Sequence, residues 1–301
     1  MIDNSLVTTD AVKWPGLTEH GVEADVLRLD KIHPVVSGNK WFKLKQHLRA
    51  AAAGGSSHLI TFGGAWSNYI VATAFAAARA GLTSTGIIRG ERPRELSATL
   101  QAAASHGMQL QVVSRGDYAG KTGPAFLEML STTWPGSYII PEGGGGTPGI
   151  QGSREILRLT DISGYSHIVC AIGTGTTYLG IASASLPQQW VIGIPVLKGF
   201  DNFLTDEGAG LPSPEKLRFC RIEPGYHFGG YARQSPELFN FMNRWYHSTG
   251  IPADFVYTGK LFYAVTDMIH KGLFPPGSRL LIIHSGGLQG NCSLPPGVLD
   301  F

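Results

Sequence analysis

The sequence predicts an α/β protein whose parallel sheets are flanked by helices. Three observations carry that expectation. Short apolar runs of strand type alternate with helical patterns nearly throughout the chain, the rhythm of βαβ units. The runs are continuously apolar, as in strands covered on both faces. The glycines, 40 of 301 residues, cluster where such runs end: Gly63 with Gly64, residues 143–146, Gly173 with Gly175, and Gly286 with Gly287. In open α/β sheets ligands bind beyond the carboxyl ends of the strands, and backbone that a ligand approaches closely needs residues without Cβ.

Taken in order, the segment at 37–44 enters a helix. Residues 57–62 read as a strand, 66–80 as an Ala-rich helix and 84–88 as a strand. Residues 98–105 are helical, 109–113 extended, 123–130 helical, 137–140 extended and 150–159 helical. Beyond them lie a strand at 167–172, a helix from Tyr178, strands at 191–196 and 217–222, helices near 237–246 and 261–270, and a strand at 279–283. These are too many strands for one compact sheet. Two α/β domains are expected, with the site between them, and the Gly/Pro-rich joint at 141–149 is the visible candidate for one crossing.

Composition excludes several classes. At 43% hydrophobic and 15% charged, the chain has material for a sizeable core and does not read as disordered. The net charge is +2 with no Lys/Arg run, so neither nucleic acid nor an anionic membrane is an expected partner. The N-terminal residues lack a basic segment followed by an apolar run, and no apolar stretch is long enough to span a bilayer. Three cysteines, Cys170, Cys220 and Cys292, do not make a disulfide framework, which points to a reducing cytoplasm. No HxH, HExxH or CxxC spacing supports a metal, and G-x-S-x-G is absent.

Five segments carry chemistry. In Ser37-Gly38-Asn39-Lys40-Trp41-Phe42-Lys43, Lys40 and Lys43 share a helix face. One could form a covalent imine while the other meets a phosphate; equally, both could be solvated. In Gly63-Gly64-Ala65-Trp66-Ser67-Asn68, between a strand and a helix, Ser67 and Asn68 either cap the helix or face a ligand. Gly173-Thr174-Gly175-Thr176-Thr177 follows a strand and opens a helix, a setting suited to a phosphate, or simply a tight turn. It lacks the GK[ST] ending of a P-loop. The others are Val256-Tyr257-Thr258-Gly259-Lys260, where Tyr257 could be a core aromatic, and His284-Ser285-Gly286-Gly287-Leu288-Gln289-Gly290.

In this order the five segments resemble the 1-aminocyclopropane-1-carboxylate deaminase/D-cysteine desulfhydrase family of pyridoxal-phosphate enzymes, over about residues 27–291. The resemblance implies the two-domain fold type II of tryptophan synthase β. Residues 1–43 and 157–301 would form the large pyridoxal-phosphate-binding domain and 44–156 the smaller one. It implies pyridoxal 5'-phosphate as cofactor and Lys40 as its Schiff-base lysine, with Lys43 near the phosphate. Asn68 would contact the cofactor's phenolic oxygen, and Ser67 would lie by the substrate carboxylate and reacting carbon. Gly173, Thr174, Gly175, Thr176 and Thr177 would hold the phosphate. Tyr257 matches one active-site tyrosine of the family and Tyr231, in GGYARQ, a second. A homodimer is the family's suggestion.

Two positions divide the family. The deaminase branch resembles VYEGK and HLGG; this chain has Thr258 and Ser285, similar to the desulfhydrase branch. A carboxylate beside the pyridine nitrogen keeps it protonated and makes the ring a strong electron sink. A hydroxyl such as that of Ser285 donates to a neutral nitrogen, and a weaker sink suits loss of a thiol better than opening of a cyclopropane. The chain departs from the family pattern at Trp66 and at Tyr69-Ile70-Val71, on the substrate side. The expected reaction is α,β-elimination from a small amino acid, D-cysteine first, giving pyruvate, ammonia and sulfide. The alternatives are cyclopropane deamination, a Rossmann-type nucleotide enzyme and a non-catalytic carrier of pyridoxal phosphate.

Overall fold

A computed structural model describes residues 2–91, 93–200, 204 and 210–301. In chain order its elements are β1 (Thr9–Ala11), β2 (Glu23–Arg28), α1 (Asn39–Ala53), β3 (His58–Gly64), α2 (Asn68–Arg79), β4 (Thr83–Arg89), α3 (Ala98–Ser105) and β5 (Met108–Val113). They continue through α4 (Arg115–Ala119), α5 (Pro124–Thr133), β6 (Tyr138–Ile139), α6 (Gly146–Arg154), β7 (His167–Ile172), α7 (Thr176–Ala184) and β8 (Trp190–Pro195). The last are α8 (Pro214–Leu217), β9 (Cys220–Ile222), α9 (Pro236–Thr249), α10 (Thr258–His270) and β10 (Arg279–His284). None of the described helices is long and apolar enough to cross a membrane.

The chain divides into two compact units, one of Met1–Asn39 with Ser153–Phe301 and one of Lys40–Gly152. The first unit holds a six-stranded sheet in the order β1-β2-β10-β7-β8-β9. All its pairings are parallel except that of β1 with β2. Ile282 of β10 pairs with Val26 on one side and Val169 on the other, and β7 is buried along its whole length. A strand covered on both faces has little place for polar side chains, which is why Ile168–Ile172, after His167 at its start, is uninterruptedly apolar. The core packs β7, β8 and β10 against α9 and α10, with Trp245 stacked on Phe262 at 4.4 Å between ring centroids.

The second unit holds a parallel four-stranded sheet, β5-β4-β3-β6. Its helix α2 presents nine buried residues, and a small core of Ile60, Phe62, Ile87, Tyr118 and Leu130 lies on the sheet.

Two expectations need correction. Residues 217–222 are not one strand: Ser213 accepts from Lys216 N–H and caps the short helix Pro214–Leu217, leaving only Cys220–Ile222 extended. The helix expected from residue 150 begins at Gly146 and tightens into a 3-10 turn over Glu155–Leu159.

Candidate active site

In the first unit β7 ends at Ile172, and the chain turns through Gly173, Thr174 and Gly175 into α7. Gly175 takes φ +85°, which only glycine adopts without strain, and no side chain caps the helix. First-turn amides have no carbonyl inside a helix to reach, and with the helix dipole they are where an anion binds. Thr174 Oγ1 and Thr176 Oγ1 lie 3.3 Å apart, and Thr176 and Thr177 are buried.

Three sequence motifs meet here. Asn39 Nδ2 donates to Thr177 Oγ1 at 2.8 Å, tying the SGNK segment to the GTGTT loop. The backbone N–H of Asn39 donates to Ser285 O at 3.2 Å, tying it to HSGG as well. Gly38, at φ +69°, passes so close that a Cβ would stand 1.8 Å from Ser285 O. The VYTGK motif joins them, because Tyr257 Cε1 lies 3.1 Å from where a Cβ on Gly173 would sit. Tyr231 meets Tyr257 edge-on at 6.1 Å and is 41% exposed.

Two buried groups brace this cluster. His284 is wholly enclosed: its Nε2 lies 2.8 Å from Pro252 O, and its Nδ1 accepts the Gly286 N–H at 3.2 Å. That pattern places the proton on Nε2 of a neutral ring. Burial pushes its pKa down, opposed by Asp30, whose Oδ1 lies 3.5 Å from Nδ1. Asp254 accepts from the N–H groups of Val256, Tyr257 and Thr258 and from Thr258 Oγ1. Thr258 Oγ1 in turn accepts the Asp254 N–H at 2.7 Å. The hydroxyl expected where the deaminases carry a carboxylate is thus taken up inside the start of α10.

The second unit carries the remaining candidate residues at the starts of two helices. Lys40 and Lys43, on α1, are 9% and 7% exposed, which removes the reading of two solvated lysines. Lys43 Nζ donates to Gly143 O at 3.0 Å, and His47, one turn on, contacts Tyr138 Oη at 3.0 Å and Gly145 O at 3.1 Å. The glycine-rich segment is therefore held from α1. Ser67 occupies the N-cap of α2, yet its side chain makes no capping bond there, so the simple cap reading fails. Asn68 follows it and is buried. Tyr69 is buried too, and its Oη has no hydrogen-bond partner among the described residues. Sequence reasoning missed the roles of His284, Asp30, Asp254 and Lys260; only the presence of the first and last inside motifs hinted at them.

A phosphate-bearing aldehyde cofactor asks for an anion-binding helix start, a lysine withdrawn from water and a donor for a ring nitrogen. Groups of those kinds are present: the uncapped start of α7 with its threonines and the buried Ser285 in the first unit, and the buried Lys40 in the second. Residues 2–286 match the family model described as pyridoxal-phosphate dependent enzyme. The chain belongs to that family. Its cofactor is pyridoxal 5'-phosphate, and the fold is the family's type II arrangement.

Among relatives of this pyridoxal-phosphate enzyme, a Pyrococcus abyssi protein provisionally named 1-aminocyclopropane-1-carboxylate deaminase is 31% identical over 90% of this chain and 86% of its own. The bifunctional D-cysteine desulfhydrase/1-aminocyclopropane-1-carboxylate deaminase of Arabidopsis thaliana is 29% identical over 92% and 76%. A crystal structure of an ACC deaminase homologue superimposes with a TM-score of 0.78 at 25% identity, covering 95% of this chain and 90% of that one.

Proposed function

We propose that this enzyme catalyses α,β-elimination on a small amino acid, with D-cysteine as the preferred substrate: D-cysteine and water give pyruvate, ammonia and hydrogen sulfide. The observation that carries the reading is the convergence of SGNK, GTGTT, HSGG and VYTGK residues in one unit, through Asn39, Thr177, Ser285, Gly173 and Tyr257. That unit is, in this reading, the cofactor-binding one.

When bound, pyridoxal phosphate supplies an electron sink for the charge left at Cα of an amino acid. The chain's own groups do the rest. Gly173, Thr174, Gly175, Thr176 and Thr177 would hold the phosphate, and the Lys43 ammonium would add positive charge. Lys40 Nζ would hold the cofactor covalently. Lys40 Nζ or Ser67 Oγ then takes the Cα proton. Asn68 would contact the cofactor's phenolic oxygen, and Ser285 Oγ would donate to its ring nitrogen. Tyr257 or Tyr231 gives a proton to the departing sulfur, which leaves as hydrogen sulfide.

The choice of a thiol as leaving group rests on what the VYTGK segment lacks. Position 258 carries no carboxylate, and the nearby carboxylate of Asp254 already accepts four hydrogen bonds from its own turn. Neither is left to hold a proton on a ring nitrogen. The test is a panel of D- and L-cysteine and 1-aminocyclopropane-1-carboxylate, read for keto acid and for sulfide. Sulfide with pyruvate from D-cysteine, and no keto acid from the cyclopropane, is expected. Ring opening at a rate matching that on D-cysteine overturns the assignment in favour of a deaminase.

A further inference from the structure

Lys260 is fully buried at the start of α10, three residues past Tyr257. Its Nζ donates to His227 O at 2.9 Å and to Gly230 O at 2.8 Å. Both carbonyls belong to the connection between β9 and α9, the segment that carries Tyr231. That segment is strained. Phe228 and Ala232 are the only non-glycine residues with positive φ among the described residues, at 50° and 52°, and Gly229 and Gly230 between them take 89° and 123°. Left-handed conformations at residues with a Cβ persist only where the surroundings over-determine them, and they gather at functional sites.

Several contacts support it, and Phe228 and Ala232 pack against the core. His227 Nδ1 accepts the Gly229 N–H at 3.0 Å, and Phe228 meets Tyr263 edge-on at 4.8 Å. Lys260 is the side chain that grips both ends of the 227–230 turn. A buried ammonium is a costly device for tying a loop, since two carbonyls replace its hydration only in part. Burial pushes its pKa down to about 8, with Asp254 opposing. A surface loop needing only attachment could be held by an apolar contact. Here the tether runs from the helix that begins beside Tyr257 to the loop that presents Tyr231 against Tyr257.

We propose that Lys260 is a positioning residue: it holds the 226–233 loop in its left-handed conformation and so sets Tyr231 against Tyr257. The inference rests on the reading that these tyrosines serve the elimination, but its structural half stands alone. In the holoenzyme, Lys260→Met keeps the length of the side chain and removes both hydrogen bonds. Arg233 is exposed in the loop and gives trypsin a cleavage point within it. Cleavage after Arg233 in the folded variant should be at least tenfold faster than in the wild type, with or without bound cofactor. Lys260→Gln, which keeps two N–H donors, should recover part of the resistance, and it replaces the Met variant if that one does not fold.

Turnover supplies the second half. Lys260→Met should lower kcat about tenfold with KM for the amino acid little changed, and Tyr231→Phe added to it should cost nothing further. Unchanged trypsin resistance overturns the proposal. So do losses from Lys260→Met and Tyr231→Phe that simply multiply. If Tyr231→Phe alone leaves kcat intact, the tyrosine's catalytic reading fails, and the trypsin result still decides whether Lys260 holds the loop.

Discussion

At the scale of single residues, position 40 is set by its neighbour. Asn39 has both its side chain and its amide bonded within the first unit, to Thr177 and to Ser285, so the chain enters Lys40 from a fixed point. Lys43, three residues later, spends its ammonium on Gly143 O. The two lysines look alike in sequence, and their surroundings separate them: one follows a doubly anchored residue, the other braces a glycine loop. Borohydride reduction of the purified holoenzyme should therefore fix the cofactor on the peptide containing Lys40. Label on Lys43 or Lys45 would contradict the assignment. Lys40→Ala should lose the visible absorption of the covalently held cofactor and lower turnover by roughly 10²–10⁴-fold, the usual contribution of a positioned proton acceptor. Lys43→Met should keep the label on Lys40.

At the scale of elements, the junction of β7 and α7 shows what sequence makes legible. A buried parallel strand is uniformly apolar, its exit needs glycine, and hydroxyls at the next helix start announce an anion. Replacing Thr174 and Thr176 together by Val keeps the shape and removes two hydroxyls that lie 3.3 Å apart. Cofactor binding should weaken by about 1–3 kcal/mol, as for hydrogen bonds to a charged group. Titration of the stripped protein with pyridoxal phosphate measures it, and an unchanged dissociation constant would move the phosphate elsewhere. Other elements were illegible for equally physical reasons. Strand β2 lies inside the six-stranded sheet, yet its EADVLR sequence mixes charges among apolar residues. The charges are tolerated because partners meet them: Arg28 pairs with Asp30 two residues on and with the more distant Asp10, and Asp25 accepts from the distant Tyr165 and Arg279. Nothing local announces Asp10, Tyr165 or Arg279. The same holds for the grip of Lys260 and for the capping by Asp254, whereas the glycine clusters at strand ends could be read directly because each depends on its immediate neighbours.

For the molecule as a whole, buried and half-buried histidines link folding to pH. Burial pushes the pKa of His47, His58, His167 and His284 below the ordinary imidazole value. The first two belong to one unit and the last two to the other. In the unfolded chain the same rings titrate near ~6.5. Between their lowered folded values and ~6.5 the unfolded state binds more protons, so stability is fully present above that pH and is lost as pH falls through this window. A ring held wholly neutral, as burial holds His284, contributes a slope of about 1.4 kcal/mol per pH unit, and the half-exposed His58 contributes less because solvent screens it. Carboxylates do not confuse the reading. Asp10, which burial pushes up but Thr8, Lys31 and Arg28 hold below its usual range, loses its support only in more acid solution. Urea unfolding of the holoenzyme should therefore show a falling midpoint from pH 6.5 to pH 5. His167 is the cleanest probe: it packs edge-on against Phe274 at 5.2 Å, with Nδ1 2.8 Å from Ser166 Oγ, away from the proposed catalytic residues. His167→Gln should lower the midpoint at pH 7.5 and shrink the fall between pH 6.5 and 5. A midpoint that stays level across that window in the wild type would mean that the enclosed rings take up protons without unfolding, against the burial that keeps them neutral.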